Sequence, residues 1–231
     1  MSKIETLLLT GANNHDWTRS TPFCKDLLEN SGKFSVTVAE NPSDVLEDAE
    51  GLKNYQLFFS DYNGPAWSET AQTNFEAAVR NGVGLVILHA ADNAFPGWVE
   101  YEKMVGLLWR KGTGHGRFHQ FKVEIIDHEH PITQGISDFY QWDELYHKLL
   151  HMHGVPYKVL AQAYSAPDTG GTGNYEPMMV VTQYGKGCVY HHVLGHIGGG
   201  QEEMQAFEPK EFQETLLRGC EWATTGKVSN E

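Results

Sequence analysis

The chain has 231 residues, 40% of them hydrophobic, and a formal net charge of −13 with histidine counted as neutral. That length is within reach of one large α/β domain over residues 1–231 with a substantial core, and no apolar run approaches the roughly 18 residues that would span a bilayer. The negative charge repels phosphate backbones and anionic lipid, which argues against nucleic-acid and membrane partners. Cys24, Cys188 and Cys220 are scattered, odd in number and never spaced as CxxC, against a disulfide framework or zinc finger and in favour of a reducing compartment. The opening "MSKIETLLLTG" has a very short apolar run and no cleavage pattern, so it reads as a first strand of a cytoplasmic protein.

Along the first half, apolar runs of strand length alternate with longer amphipathic segments, the pattern of βα units around a parallel sheet. "IETLLLTG" predicts strand one, followed by the loop "ANNHDW" and a helix from about Thr18 to Asn30. "FSVTVAE" predicts strand two and "YQLFFSDYN" strand three; "SETAQTNFEAAVRNG" predicts a helix that Ser68 caps and Asn81-Gly82 ends. "VGLVILHA" is near-continuously apolar, as a strand covered on both faces should be. If these strands are parallel, a ligand binds beyond their carboxyl ends. The loops there, "GANNHDW", "SDYNGPAW" and "HAADNAFPGW", offer Asn14, Asn63 and Asn93 as substrate-binding candidates, with Trp17, Trp67 and Trp98 as either a stacking wall for a sugar ring or plugs of the sheet edge.

The second half changes character. "HGRFHQFKVEIID" is extended, "VPYKVLAQAY" and "PMMVVTQYGKGCVYHHVLG" read as strands with a "YGKG" hairpin turn, and "EPKEFQETLLRGCEWAT" as a closing helix. "APDTGGTGN" between them reads as a surface loop or a lid. The two-residue period that puts Phe121, Val123 and Ile125 on one face carries His119, Arg117 and His115 backwards along it; a cavity rim and a solvent-exposed strand end both give this pattern. Arg117 and His119 join the substrate-binding candidates on the first reading.

Twelve histidines are many for this length, and His15, His89, His191, His192 and His196 fall at or just beyond predicted strand ends. In "QWDELYHKLL", a helix puts Asp143 and Glu144 each on a face with His147, whereas an irregular turn aims one of them inward. Glu144, between Trp142 and Tyr146, is the favoured acid/base group, because desolvation there raises its pKa. His and carboxylate side chains also suit a divalent metal such as zinc or manganese, with His89, His119, Glu144, His147 and His196 as candidate ligands, although no HExxH motif fixes the set. There is no GxSxG, GxGxxG or GxxxxGK[ST], which argues against acyl-enzyme, dinucleotide and nucleoside-triphosphate chemistry.

Taken together, "LLLTGANNHDW", "DYNGPAW", "GVGLVILHAADNAFPGW", "GHGRFHQFKVEIIDHEHPITQGISDF" and "DELYHKLL" resemble the trehalose-utilisation (ThuA-like) family over nearly the whole chain. The resemblance implies an α/β fold similar to class I glutamine amidotransferases, a flavodoxin-like three-layer sandwich with additional β-strands in the second half. In that superfamily the turn after strand four carries a catalytic Cys; here the position is His89, so amidotransferase chemistry does not carry over. Site positions are implied at His15, Asp16, His89, Asp92, Asn93, Glu144 and His196, without roles.

The family's association with trehalose and with dehydrogenases that make 3-keto-glycosides implies an enzyme acting on a keto-sugar or keto-glycoside by isomerisation, hydration or elimination. A ketone acidifies the neighbouring C–H, so such a site needs a base, Glu144 or His89, and a partner for the developing oxyanion, His15, His196 or a metal. Hydrolysis by Glu144 paired with Asp16 or Asp92 is the nearby variant. The alternative is a non-catalytic sugar-binding or regulatory protein on a retired amidotransferase-like scaffold. A small-molecule sugar is the expected partner either way, and a homo-oligomer is compatible with both.

Overall fold

In the computed structural model, which describes residues 2–198 and 200–229, strands and helices alternate through the first half. The order is β1 (Ile4–Leu9), α1 (Trp17–Asn30), β2 (Phe34–Ala39), α2 (Pro42–Leu46), β3 (Leu57–Ser60), α3 (Glu69–Asn81), β4 (Gly84–Leu88) and α4 (Val99–Val105). The second half is mostly strand: β5 (Gly114–His115), β6 (His119–Ile125), β7 (Phe139–Asp143), β8 (Tyr146–His147), β9 (Tyr157–Tyr164), β10 (Tyr175–Tyr184) and β11 (Gly187–His192), closed by α5 (Lys210–Thr225). Gly199, in "LGHIGGG", lies outside the described residues.

One sheet runs in the order β2-β1-β3-β4-β11-β10-β9-β6-β7. Its first five strands are parallel, in the flavodoxin-like arrangement whose carboxyl edge is the usual ligand site. From β10 onward the pairing is antiparallel, which accounts for the change of pattern in the second half.

Side chains that alternate along each parallel strand separate into two cores. Leu8, Phe59, Val86 and Leu88 pack with Cys24 and Leu28 of α1 and Phe212, Leu216 and Cys220 of α5. Leu7, Leu9, Phe58, Leu85 and Ile87 pack with Phe75 and Val79 of α3 and Tyr101 and Met104 of α4. Burying each such Leu or Phe contributes about 1.5–3 kcal/mol, and both faces need a helical layer because neither row is polar. Ser68 caps α3 by accepting from Ala71 N at 3.2 Å, and Gly82 follows its last turn at φ 121°.

Three expectations change. "QWDELYHKLL" is not a helix: Phe139, Gln141 and Asp143 face inward from a strand while Tyr140 and Trp142 face out. The row His115, Arg117, His119 is interrupted, since β5 ends at His115 and β6 begins at His119; the period-two argument holds only from His119 on. His192 is the last residue of β11, as expected, whereas His191 precedes it inside the strand, and both are buried, at 0% and 1% exposure.

Candidate functional site

Three loops from the carboxyl edge of the parallel strands and one strand end from the antiparallel half meet at a cavity of ≈ 240 Å³. It is lined by Asn14, His15, Ala90, Asn93, Trp109, His115, Glu144, Tyr146 and His196. His15 follows β1, His89 follows β4, His196 follows β11, and Glu144 follows β7.

The β1 loop starts at Gly11, whose φ of 101° and position against Glu40, where a Cβ would stand 1.8 Å from the carbonyl oxygen, exclude any other side chain without a backbone shift. Asn13 Oδ1 then accepts His15 N at 3.0 Å, and Asn13 Nδ2 donates to Asp61 Oδ1 at 3.2 Å. Asp61 is buried and also accepts from Ser20 and Thr21. Burial raises its pKa to about 7 against the pull of those three hydrogen bonds. Asp16 N donates to Ile197 O at 2.9 Å, tying the His15 loop to the His196 loop.

His89 opens a single 3-10 turn, His89–Asn93, with φ 44°, a conformation that costs a non-glycine residue of order 1 kcal/mol or more. Its Nδ1 lies 2.7 Å from Val193 O. The carbonyl accepts, so Nδ1 carries the proton and Nε2 presents a lone pair, which has no hydrogen-bond partner among the described residues. Tyr146 stacks on the ring at 4.2 Å. Gly195, at φ 127°, lets the last loop close over it, because a Cβ there would meet Leu88 at 3.1 Å and His89 at 3.5 Å.

Asp143 fixes the remaining two groups. It is fully buried and accepts from Gly195 N at 2.7 Å, Glu144 N at 2.8 Å and His196 N at 3.3 Å. Burial nevertheless raises its pKa to about 6.

At the centre, His15 Nε2 is 2.9 Å from His196 Nδ1, and His196 Nδ1 is 3.1 Å from Glu144 Oε2. His115 Nδ1 stands 3.5 Å from the other Glu144 oxygen. One ligand-type atom each from His15, His89, Glu144 and His196 lies within 4.8 Å of the others. Burial lowers the His15 pKa to about 4, helped by His196, and holds His89 well below its ordinary value. Burial also pushes Glu144 up, but the hydrogen bond and charge of His196, with His115 and His15 behind it, outweigh that and leave the carboxyl below its ordinary value. This reverses the expectation of a raised Glu144 pKa: its neighbours are imidazoles rather than apolar walls.

The imidazoles of His15 and His89, which burial keeps from protonating, and the Glu144 carboxylate bring several acceptors to one point. A divalent ion would suit that arrangement: zinc ligands at about 2.0–2.1 Å in a tetrahedron stand about 3.3–3.4 Å apart, and the separations here run from 2.9 and 3.1 Å at His196 Nδ1 up to 4.8 Å across the set.

Other candidates are placed elsewhere. His147 is turned to Ser165 at 3.4 Å, and His119 to the Arg117 carbonyl at 2.6 Å, so neither is in the cluster of four. Arg117 is exposed and outside the cavity lining. Asp16 accepts from Thr18 at 2.6 Å, at the start of α1. Asp92 is wholly buried 3.6 Å from His191, beneath the turn rather than in the cavity. Trp67, 4% exposed, packs with Tyr62, Phe75, Phe95 and Trp98, so these two indoles plug the sheet edge; Trp17 is half-buried and does not line the cavity. Asn63 donates to Asn14 Oδ1 at 2.6 Å and supports the rim. The "APDTGGTGN" loop is pinned by Arg117 N to Thr169 O and by Thr172 N to Ser165 Oγ. The aromatic wall comes instead from Trp109 and Tyr146, 4.4 Å apart. Sequence reasoning missed Trp109, Asp143 and Asp61; strict inward alternation in "FYQWD" was the available signal for Asp143.

The family model for trehalose utilisation matches residues 5–223. Among solved structures, the chain is similar to a ThuA-like protein from Parabacteroides merdae, 35% identical with a TM-score of 0.90, over 100% of this chain and 93% of that one. A ThuA-like protein from Bacteroides uniformis is 17% identical with a TM-score of 0.73, over 97% and 94% of the two chains. A GMP synthase component from Thermoplasma acidophilum, 9% identical with a TM-score of 0.56 over 98% and 96%, shares the fold alone. No curated protein matches the sequence significantly, and among the described residues no helix is long and apolar enough to cross a membrane. On the family match and the Parabacteroides likeness, the chain belongs to the trehalose-utilisation (ThuA) family.

Proposed function

We propose that the protein is a carbohydrate-catabolic enzyme that removes the proton beside the ketone of a keto-sugar or keto-glycoside, at a divalent-metal site whose ligands are His15, His89 and His196, with Glu144 beside them as the base. The observation that carries this is the convergence of one atom from each of those four residues within 4.8 Å in a cavity with one aromatic wall. A neutral-sugar binding site needs stacking and hydrogen bonds, not one buried and two half-buried imidazoles gathered beside a carboxylate.

A bound divalent ion supplies Lewis acidity toward a ketone oxygen. Trp109 and Tyr146 offer a ring face for stacking, and Asn14 and Asn93 offer amides to hydroxyls. Glu144, ionised at neutral pH because its pKa is lowered, accepts the proton from the carbon next to the ketone, and His115 behind it, whose Nδ1 donates to the Gly116 carbonyl at 2.7 Å, turns that N–H side toward the carboxylate at 3.5 Å. For a 3-keto-glycoside the C2 proton leaves to Glu144, the C–H electron pair forms the C1=C2 bond, and the C1–O bond breaks with its electrons to the departing oxygen, which takes a proton from solvent to leave as an alcohol. Reprotonation at C2 without that loss gives epimerisation or exchange.

The test is incubation with 3-keto-trehalose and 3-keto-glucose in deuterium oxide, with and without chelator, following C2 exchange by NMR alongside metal analysis. One zinc or manganese per chain and chelator-sensitive exchange are expected. Saturable sugar binding with no exchange across keto-sugars would establish a binding protein instead.

A further inference from the structure

The cavity's ≈ 240 Å³ is below the roughly 300 Å³ at which pockets for drug-sized ligands begin. It takes one pyranose ring, and a second ring joined to it has to lie outside. Beside the Glu144–His196 edge the surface is aromatic. Phe118 stands 5.7 Å from His196, and Trp142 stacks on Phe118 at 6.0 Å with planes 30° apart. Trp142 is 39% exposed and Tyr140 64%. Tyr140 and Trp142 face outward from β7, and Phe118 joins Trp142 to His196, so the aromatic row leads away from the cluster. Gln120, opposite Trp142 in the β6–β7 ladder, sets an amide beside the indole. Large apolar side chains left exposed next to a polar site mark binding surfaces, and an indole face attracts the weakly positive C–H face of a sugar ring.

We propose that Phe118 and Trp142 form a second sugar subsite, which stacks the departing ring of a two-ring glycoside while the reacting ring occupies the imidazole cavity. This rests on the carbohydrate reading above and narrows its substrate class to glycosides of at least two rings. Elimination at C1 releases the second ring as an alcohol, and a platform outside the cavity lets that ring leave first.

Unoxidised trehalose and glucose, which bind without turnover, separate the subsite from the chemistry when titrated calorimetrically. Trehalose is expected to bind at least about tenfold more tightly than glucose. Trp142→Ala and Phe118→Ala each weaken trehalose by about five- to tenfold, the scale of one aromatic contact, and glucose by less than about twofold; Trp142→Phe keeps most of the affinity. Circular dichroism confirms folding of each variant. Equal affinities for the two sugars, or folded Trp142→Ala with trehalose affinity intact, would overturn the subsite. So would a dimer that Trp142→Ala splits without touching sugar affinity, since the face then belongs to a second copy. Two-ring preference without C2 exchange on keto-sugars leaves the subsite standing and removes the catalytic reading, whereas no sugar binding at all removes both.

Discussion

Arg110→Met tests whether the His89 turn is held from behind. Arg110 Nη1 donates to the carbonyls of Asp92 at 3.3 Å, Asn93 at 3.1 Å and Trp109 at 2.8 Å, and Nη2 to Ala94 O at 3.0 Å. Nε and Nη2 both reach Glu102 Oε1, at 3.0 and 2.9 Å. Three of those carbonyls are the open carboxyl end of the turn His89–Asn93, where no further helical N–H follows to satisfy them. The Arg110 side chain is 10% exposed and the Glu102 side chain 4%. Methionine keeps the stem and removes every donor.

Breaking a buried pair from one side costs about 3–5 kcal/mol. Glu102 keeps His153 at 2.7 Å and Gly97 N at 3.1 Å, so its charge is not left bare and the lower end, about 3 kcal/mol, is expected. For a chain of this size that lowers Tm by about 6–12 °C. Arg110→Lys retains the charge without the fork and falls between the two. Because the turn aims His89 Nε2, zinc affinity measured by calorimetry should fall about 10- to 100-fold, as for supporting partners of metal ligands. Arg110→Met within about 2 °C of the parent, with zinc affinity unchanged, would refute the reasoning.

Glu144→Gln should cut C2 exchange by at least about 100-fold, the usual contribution of a positioned base, and full exchange in this variant removes Glu144 from that role. His89→Ala should weaken zinc by more than the roughly 100-fold ceiling of a supporting residue; a smaller loss by calorimetry would place His89 outside the ligand set. His192 is buried in β11 with its pKa lowered to about 3, mainly by burial, against about 6.5 in an unfolded chain. The unfolded state therefore takes the proton first, and this group's contribution to stability is full above pH 6.5 and falls as pH drops toward 3, by about 1.4 kcal/mol per pH unit. His192→Gln should flatten the denaturation slope over that window by one proton, and superimposable slopes would contradict the burial argument.

How far the sequence was legible follows the range of the interactions. The parallel strands, the Ser68 cap and the α3 stop were readable because each depends on neighbours in the chain: Leu85 to Leu88 are apolar on both faces, and Ser68 needs only Ala71. The short helices α2 and α4, with five and seven residues, carry too little periodicity to register. Glu144 was found for the wrong reason. Its flanking aromatics suggested an apolar pocket, but alternation along the chain sends Trp142 outward to Phe118, and the groups that set its pKa come from residues 15, 115 and 196. Trp67 and Trp98 failed in the same way, since whether an indole lines a cavity or plugs a sheet depends on Phe75 and Phe95, which no local pattern exposes. Asp143 stands between the two cases: alternation in "FYQWD" turns it inward, but two of the three backbone amides it accepts from lie some fifty residues away, at Gly195 and His196.

The costs of this fold gather at one point. His89 holds a left-handed backbone at about 1–3 kcal/mol; its Nε2 and His15 Nδ1 are buried polar atoms without partners among the described residues, a class that costs about 1–3 kcal/mol each. A glycine at 89 would relieve the backbone, and an apolar residue would relieve the orphaned nitrogen, yet neither could ligate. An ion that binds the folded chain alone recovers such costs by mass action. At a hundredfold excess over Kd the gain is about 2.7 kcal/mol, which for this length raises Tm by about 5–11 °C. Thermal denaturation with zinc, manganese and chelator measures it, and the shift should vanish in His89→Ala. A Tm indifferent to every divalent ion would mean that the lone pairs of His15, His89 and His196 are satisfied by sugar hydroxyls alone, and the chemistry would then fall to Glu144.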